Sequence, residues 1–214
     1  MAEVDIASLD AEKTVVVATG NAHKVQEIEA ILGPLMPGFT FYALGELGDF
    51  LDPVEDGDTF LANALIKAHA ALDETGLLYA VADDSGLVVD ALGGAPGIYS
   101  ARWAGEHGND AANNQKLLQE MRDVPQNERQ AHFHSSVVLV CRSGKELHGS
   151  GDCPGQIGYE LRGDHGFGYD PLFCLDDIPN KTMAELTPGE KNKISHRYRA
   201  LQDLAGQLGQ LGIA

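Results

Sequence analysis

Basic residues are scarce in this 214-residue chain, which has 15 Lys and Arg against 32 Asp and Glu and a formal net charge of −17. A surface so acidic repels phosphate backbones, which excludes nonspecific binding of DNA or RNA as its main role. Long apolar runs are also missing, since none reaches the roughly 18 residues that a membrane-spanning helix needs. With apolar residues at 43% and charged residues at 22%, the composition is typical of a soluble globular protein.

Cysteine is rare too. The three cysteines are odd in number and widely spaced, which argues against a disulfide framework and against a zinc site. Residues 1–13 are acidic and mixed, and they lack the basic start and apolar stretch of a signal peptide. We therefore expect a cytoplasmic protein in which residues 1–13 form an N-terminal tail and residues 14–214 a single domain.

Strand-like and helix-like segments alternate along the chain. Strands are predicted at 14–19, 39–43, 79–83, 87–90, 130–141 and 146–150. Helices are predicted after Asn21, at 59–72, at 110–121, and from Pro188 to about Gly209, the last behind a Thr187–Glu190 capping box. This order predicts an α/β fold, and the long hairpin-like strands at 130–150 favour a mixed sheet over a parallel one.

The segment from Thr19 to Lys24 joins the first strand to the first helix through a glycine. Free backbone N–H groups at a helix start bind anions, so this segment is a candidate phosphate site. The GxxxxGK[ST] spacing of a Walker A loop is absent from the chain. An ordinary capped helix with a surface lysine is the alternative.

Carboxylates supply the second candidate site. Asp83 and Asp84 are adjacent, so they point to opposite faces of a strand, and one of them faces the site while the other holds backbone N–H groups of a turn. Together with Glu55, that carboxylate suits Mg²⁺, which takes one or two carboxylates plus phosphate and water oxygens. Asn63 and Lys67 share one helix face and are either a surface pair or a further phosphate contact.

Glycines surround an aromatic residue at Gly166–Asp170, where Phe167 either stacks on a base or is buried with Tyr169 in a turn. Residues 191–199 hold four of the fifteen basic residues and form either a solvated basic helix face or an anion site. The donors of Ser195–Arg197 suit the keto oxygens of a base. His132 and His134 share one strand face without a third metal ligand, so we expect a pair that either faces solvent or is covered by a helix.

Four segments together resemble one family: TGNAHK at 19–24, DDSGLVVDALGGAPGIYSARWAG at 83–105, GFGYDP at 166–171 and KNKISHR at 191–197. The chain resembles the inosine triphosphate pyrophosphatases, also called XTP/dITP diphosphatases, from about Thr14 to its end. The resemblance implies Mg²⁺-dependent hydrolysis of ITP, dITP and XTP to the monophosphate and pyrophosphate. It also implies a homodimer and a mixed, curved α/β fold of two lobes, with the active-site cleft between them.

The resemblance also implies roles for individual residues. Asp84 is the expected catalytic proton acceptor and a metal ligand, Glu55 is the second metal carboxylate, and Ser85 touches the substrate. The expected phosphate-binding residues are Thr19, Gly20, Asn21, Ala22, His23 and Lys24. The expected base-binding residues are Phe167, Gly168, Tyr169, Asp170, Lys191, His196 and Arg197.

Two other functions are compatible with these residues. One is a related pyrophosphatase acting on other modified nucleotides, and the other is a nucleotide sensor without catalysis. The ranking of ITP, dITP and XTP, and the way GTP is excluded, do not follow from the sequence.

Overall fold

The computed structural model describes residues 4–19 and 22–212, except the side chains of Ala22 and His23. Its strands are β1 (Thr14–Val17), β2 (Thr40–Ala43), β3 (Tyr79–Val89), β4 (Gln130–Cys141), β5 (Glu146–Ile157) and β6 (Phe173–Leu175). Its α-helices are α1 (Ala22–Leu32), α2 (Leu44–Leu47), α3 (Phe60–Thr75), α4 (Asp110–Glu120), α5 (Pro188–Lys191) and α6 (His196–Ala205). Short 3-10 helices lie at Ile6–Ser8, Gly33–Leu35, Asp90–Leu92, Gly97–Arg102, Gln126–Glu128, Met183–Glu185 and Leu208–Leu211.

The six strands form one sheet in the order β2-β1-β3-β4-β5-β6. Strand β1 runs parallel to both β2 and β3, whereas β5 and β6 are antiparallel. The sheet is therefore mixed, and the predicted α/β class is confirmed. In the part of the chain that the structure describes, no helix is both long and apolar enough to cross a membrane.

The chain divides into two compact units. The first unit comprises residues 1–84, 135–151 and 197–214, and the second comprises residues 85–134 and 152–196. Each unit has its own apolar core.

In the first unit, helices cover both faces of the sheet. Val15 and Val17 of β1 pack with residues of α1 and α6, whereas Val16 belongs to a second cluster with the alanines of α3. Because successive strand residues point to opposite faces, a strand covered on both faces is buried throughout, as the four residues of β1 are. Residues 4–13, expected to form a tail, contribute Val4, Ile6 and Leu9 to the packing around the α3 cluster.

In the second unit, the core gathers apolar residues of β3, α4, β4 and β6. The rings of Phe133 and Phe173 lie 4.6 Å apart within it. This core supports the segment that carries the predicted base-binding loop, because Tyr169 and Leu172 are among its members.

Three predicted elements were wrong in their bounds. Strand β3 is continuous, whereas two short strands separated by a turn at residues 84–86 were predicted. Charged residues inside a buried strand are normally excluded, but Asp83 and Asp84 both have cationic partners that offset the cost of burial.

Strand β5 extends to Ile157, seven residues beyond its predicted end. Two glycines of this strand are positions where neighbouring elements approach closely. A Cβ on Gly149 would lie 2.7 Å from the Leu204 Cβ atom, and one on Gly155 would lie 2.7 Å from the Phe173 ring. Glycine is needed at both positions so that α6 and β6, respectively, can pack closely.

The last predicted helix is broken between Lys191 and His196. Its capping box is present, with Thr187 and Glu190 bonded to each other's backbone N–H groups. Between the two helices, the Lys193 and Ile194 N–H groups donate to carbonyls three residues back, at Glu190 and Lys191, so the chain turns more tightly there than in an α-helix.

Candidate functional site

Asp83 and Asp84 are neighbours in β3, and their side chains have separate partners in the first unit. Asp83 pairs with Lys24 and Arg197, whereas Asp84 pairs with Lys67 and accepts a hydrogen bond from Asn63. This is the opposite orientation expected of adjacent strand residues. The prediction that one of the two holds a backbone turn was wrong, because both carboxylates bind cations.

Two carboxylates and one lysine form the cluster around Asp84. The Lys67 Nζ atom lies 3.1 Å from Asp84 Oδ1 and 3.1 Å from Glu55 Oε2. Helix α3 places Asn63 one turn before Lys67, and its Nδ2 atom lies 3.2 Å from Asp84 Oδ2. The side chains of Lys67 and Asp84 are mostly buried, at 13% and 12% exposure.

Burial raises the pKa of Asp84, and the attraction of Lys67 only partly opposes that effect. For Lys67, burial disfavours the charged form, but the surrounding carboxylates outweigh it and raise the pKa of the lysine. The cluster therefore combines a lysine that stays charged with a carboxylate that accepts a proton more readily than an ordinary aspartate.

Arg197 is the centre of the other cluster. Its guanidinium is fully buried and donates to Asp83 Oδ2 from Nε at 3.0 Å, and to Glu27 from Nη1. Lys24 Nζ lies 3.2 Å from Asp83 Oδ1. Burial alone would raise the pKa of Asp83, but Arg197 and Lys24 outweigh it and hold that pKa well below its usual range.

Two residues of this cluster, Lys24 and Arg197, were predicted to bind the substrate, and both contact carboxylates of the protein. Lys24, a predicted phosphate ligand, faces Asp83, and burial lowers its pKa. Arg197, a predicted base ligand, directs its guanidinium at carboxylates of the first unit. Thr19 follows β1 and is partly buried. Gly20 and Asn21 lie outside the described residues, as do the side chains of Ala22 and His23.

In the second unit, Asp170 organises the loop that was predicted to bind a base. Its buried Oδ2 atom accepts from the Phe167 backbone N–H at 3.0 Å and from Lys191 Nζ at 2.7 Å. The same Nζ atom lies 4.4 Å from the centre of the Phe167 ring. A Cβ on Gly166 would overlap the Asp170 carboxylate, so only glycine fits there.

Helix α4 holds Gly168 by both of its backbone groups. The Gly168 N–H donates to Asp110 Oδ2 at 2.7 Å, and its carbonyl accepts from Asn114 Nδ2 at 2.8 Å. Neither α4 residue was a predicted site residue. Their i, i+4 spacing on a helix predicts a shared face, but nothing local indicates that this face meets the loop.

Tyr169 is buried, and its hydroxyl donates to the Ser100 carbonyl at 2.9 Å. Burial raises its pKa well above the ordinary value. Tyr169 is thus a packing residue of the loop, whereas Phe167 is only partly buried.

His196 is buried in the second unit and stacks on the Phe133 ring, with centroids 4.9 Å apart and planes 19° from parallel. Ser85 lies in β3 and is partly buried. The Nδ1 atom of His134, a residue expected to face solvent or to be covered by a helix, lies 2.7 Å from Oδ1 of the exposed Asp152.

Asp84 and Glu55 are the two carboxylates that were predicted to hold a magnesium ion. Among the residues described, no group of three His, Cys, Asp or Glu side chains is arranged to hold a metal. Two carboxylates nevertheless suit Mg²⁺, which commonly takes its other ligands from water and substrate phosphates. That both carboxylates lie within 3.1 Å of one ammonium group shows that their oxygens converge on a cation.

Comparison with known proteins gives one consistent family. A dITP/XTP pyrophosphatase of Geobacter sulfurreducens is 51% identical over 198 residues, which cover 92% of this chain and 98% of that protein. One of Leifsonia xyli subsp. xyli is 50% identical over 186 residues, covering 87% and 90% of the two chains. The Ham1 protein structure of Staphylococcus aureus superposes with a TM-score of 0.81 at 36% identity, covering 93% of this chain and all of that one. The Ham1 family model matches residues 15–207, so this chain belongs to the Ham1 family.

Proposed function

We propose that this protein is a nucleoside triphosphate pyrophosphatase that hydrolyses ITP, dITP and XTP to the monophosphate and pyrophosphate. Its relatives in G. sulfurreducens and L. xyli are named dITP/XTP pyrophosphatases. The observation that carries the proposal is the convergence of Asp84 and Glu55 on Lys67 in the first unit. A polyanionic substrate needs local positive charge on so acidic a protein, and a carboxylate pair with a buried lysine is suited to divalent cation and phosphate together.

Mg²⁺ is the proposed cofactor, with Asp84 and Glu55 as the residues that would hold it. When bound, the ion offsets the charge of the phosphate oxygens and so makes the phosphorus easier to attack. Lys67 and Lys24 add positive charge from the protein itself.

Asp84 is the proposed proton acceptor. A water oxygen attacks the α-phosphorus, the bond from the α-phosphorus to the αβ-bridging oxygen breaks, and pyrophosphate leaves with that oxygen. The proton of the attacking water passes to the Asp84 carboxylate. The Asn63 and Lys67 hydrogen bonds fix the orientation of the carboxylate that receives this proton.

The loop at residues 166–170 is the proposed base-binding segment of the second unit. Phe167 offers a partly buried ring for stacking, and Lys191, which lies over that ring, is a donor suited to a keto oxygen. Adenine has an amino group where hypoxanthine and xanthine have a 6-keto oxygen, so it would leave such a donor unpaired. Unpaired buried donors can reduce the rate with the wrong substrate by on the order of 10⁴-fold.

Arg197 was expected to bind the base, but this proposal gives it a structural role. Its guanidinium is engaged by Asp83 and Glu27, so we assign it to the support of the first unit. Cytoplasmic location and a homodimer also belong to the proposal. The resemblance stated above supports the homodimer, which sedimentation of the purified protein would test, and the three free cysteines support a reducing compartment.

Product analysis tests the function directly. ITP, dITP, XTP, GTP and ATP are incubated with the protein, with Mg²⁺ and with a chelator, and the products are separated by ion-exchange chromatography. We expect monophosphate and pyrophosphate from the first three substrates only, and only with Mg²⁺. Asp84→Asn should lower the rate by about 10²–10⁴-fold, the range for loss of a general base.

Asp73→Asn is the matched control, because it removes the same charge from an exposed position on α3 and should keep full activity. Release of single phosphates would replace the proposal with a phosphatase. Tight nucleotide binding without turnover would replace it with a sensor.

A further inference from the structure

We propose that Asn63 is a positioning residue that sets the separation of the two carboxylates, Asp84 and Glu55, through the two ends of its amide group. The inference rests on the proposed function for its catalytic consequence, whereas its structural part stands on the contacts within the first unit. Sequence reasoning offered Asn63 as a surface residue or a phosphate contact. The structure favours neither, because Asn63 is only 1% exposed and its amide atoms bind protein groups.

The amide nitrogen of Asn63 faces a hydrogen-bond acceptor, and its amide oxygen faces a donor. Asn63 Nδ2 donates to Asp84 Oδ2 at 3.2 Å, and Asn63 Oδ1 accepts from the Gly57 backbone N–H at 2.9 Å. A rotated amide would oppose its oxygen to the Asp84 carboxylate and its N–H₂ to the Gly57 N–H. The orientation is therefore fixed by its surroundings.

The backbone of Asn63 is also fixed. It lies in the first turn of α3, where its N–H donates to the Thr59 carbonyl at 3.1 Å and the Thr59 side chain caps the Ala62 N–H. A capped helix turn is a rigid base for a short side chain. The position of α3 therefore determines where the Asn63 amide lies, and with it the positions of Gly57 and the Asp84 carboxylate.

One of those partners is the loop that carries Glu55. Gly57 lies two residues after Glu55, and residues 48–57 have no helix or strand of their own. A Cβ on Gly57 would lie 2.7 Å from Asn63 Oδ1 and 2.8 Å from the Ala62 Cβ atom. The absence of a side chain at Gly57 is what allows the loop to approach α3 closely enough for the hydrogen bond.

The other connection between the carboxylates is Lys67, which binds both through a long flexible side chain. Such a side chain can follow its partners if they move apart, so it does not set their separation. The short amide of Asn63 has no such freedom. Removing it should release the Glu55 loop and leave Asp84 with one hydrogen-bond donor fewer.

Outer residues that orient metal ligands typically affect metal affinity or activity by about 10–100-fold. We therefore expect Asn63→Ala to raise the Mg²⁺ concentration for half-maximal ITP hydrolysis by about 10–100-fold. The KM for ITP at saturating Mg²⁺ should change much less, since the base-binding residues belong to the second unit.

Asn113→Ala is the matched control. Asn113 is 2% exposed, accepts from the Ala104 N–H at 2.8 Å and donates to the Ala101 carbonyl at 3.3 Å, so its replacement removes the same kind of buried bridge elsewhere. It should lower thermal stability comparably and leave the Mg²⁺ requirement unchanged.

Hydrogen–deuterium exchange provides a readout that does not depend on activity. In Asn63→Ala, peptides that contain residue 57 should exchange faster than in the wild-type protein. In Asn113→Ala, which keeps both hydrogen bonds of Asn63, the protection of those peptides should be retained.

Unchanged exchange around residue 57 in Asn63→Ala would overturn the inference. So would a Mg²⁺ requirement that rises equally in Asn113→Ala, because the effect would then be one of general stability. If the wild-type protein released no pyrophosphate, the proposed function would fail, but the exchange experiment would still decide whether Asn63 anchors the loop.

Discussion

Replacing Arg197 with methionine tests whether the buried ion cluster of the first unit is held by charge. The substitution removes the only guanidinium in contact with Asp83 among the described residues, and Asp83 is 1% exposed. Loss of one member of a buried ion pair costs about 3–5 kcal/mol, because the remaining charge stays buried. In a chain of this size each kcal/mol corresponds to about 2–4 °C, so Arg197→Met should lower the unfolding midpoint by about 6–20 °C.

The pH dependence identifies the cause. In the wild-type protein the pKa of Asp83 lies below its ordinary value of 3.8, so its contribution to stability is full above that pH and is lost only in stronger acid. In Arg197→Met burial persists while the main counter-charge is gone, so the pKa of Asp83 should rise. The difference in thermal unfolding midpoint between the wild-type protein and Arg197→Met should be largest at pH 7. It should become smaller towards about pH 4, because Asp83 of the variant then takes up a proton.

Arg129 offers a control of the same size and burial. It is 1% exposed and donates to the carbonyl oxygens of Met121, Val124, Ile157 and Gly158. Carbonyl groups do not titrate, so Arg129→Met should destabilise the protein by an amount that does not vary with pH. Differential scanning calorimetry of all three proteins between pH 4.5 and 7 makes the comparison. A constant difference for Arg197→Met across that range would refute the ionic explanation.

Two further predictions concern the carboxylates and the base-binding loop. In the metal-free protein, carbon-13 NMR titration should give Asp84 a pKa above the ordinary 3.8 and Asp83 a pKa below it. The reverse order would contradict the pairing of Asp83 with Arg197 and Lys24. Asn114→Ala removes the donor that holds the Gly168 carbonyl, so it should raise the KM for ITP with little change in the Mg²⁺ requirement. Steady-state kinetics measure both quantities, and an unchanged KM would show that the loop keeps its position without that bond.

Elements that local sequence specifies were predicted well. The apolar run of β1, the long strand β4 and the capped helix α3 lie close to their predicted positions, because apolar patterning and capping residues are properties of neighbouring positions. The opposite orientation of Asp83 and Asp84 also follows from strand geometry alone. The motifs around Asp84 and Phe167, through their resemblance to a family, indicated the Ham1 membership that the comparisons establish.

Partners that are distant along the chain could not be read from the sequence. Arg197 and Asp83 are 114 positions apart, and only folding brings the guanidinium to that carboxylate instead of to a base. The same applies to Asn114, which holds Gly168 from 54 positions away, and to β3, which stays a strand through two aspartates because distant cations neutralise them. The sequence thus determined which residues carry charge and which segments form strands and helices. The tertiary structure decided which charges meet, because the energy of a buried ion pair depends on distance in space and not on distance along the chain.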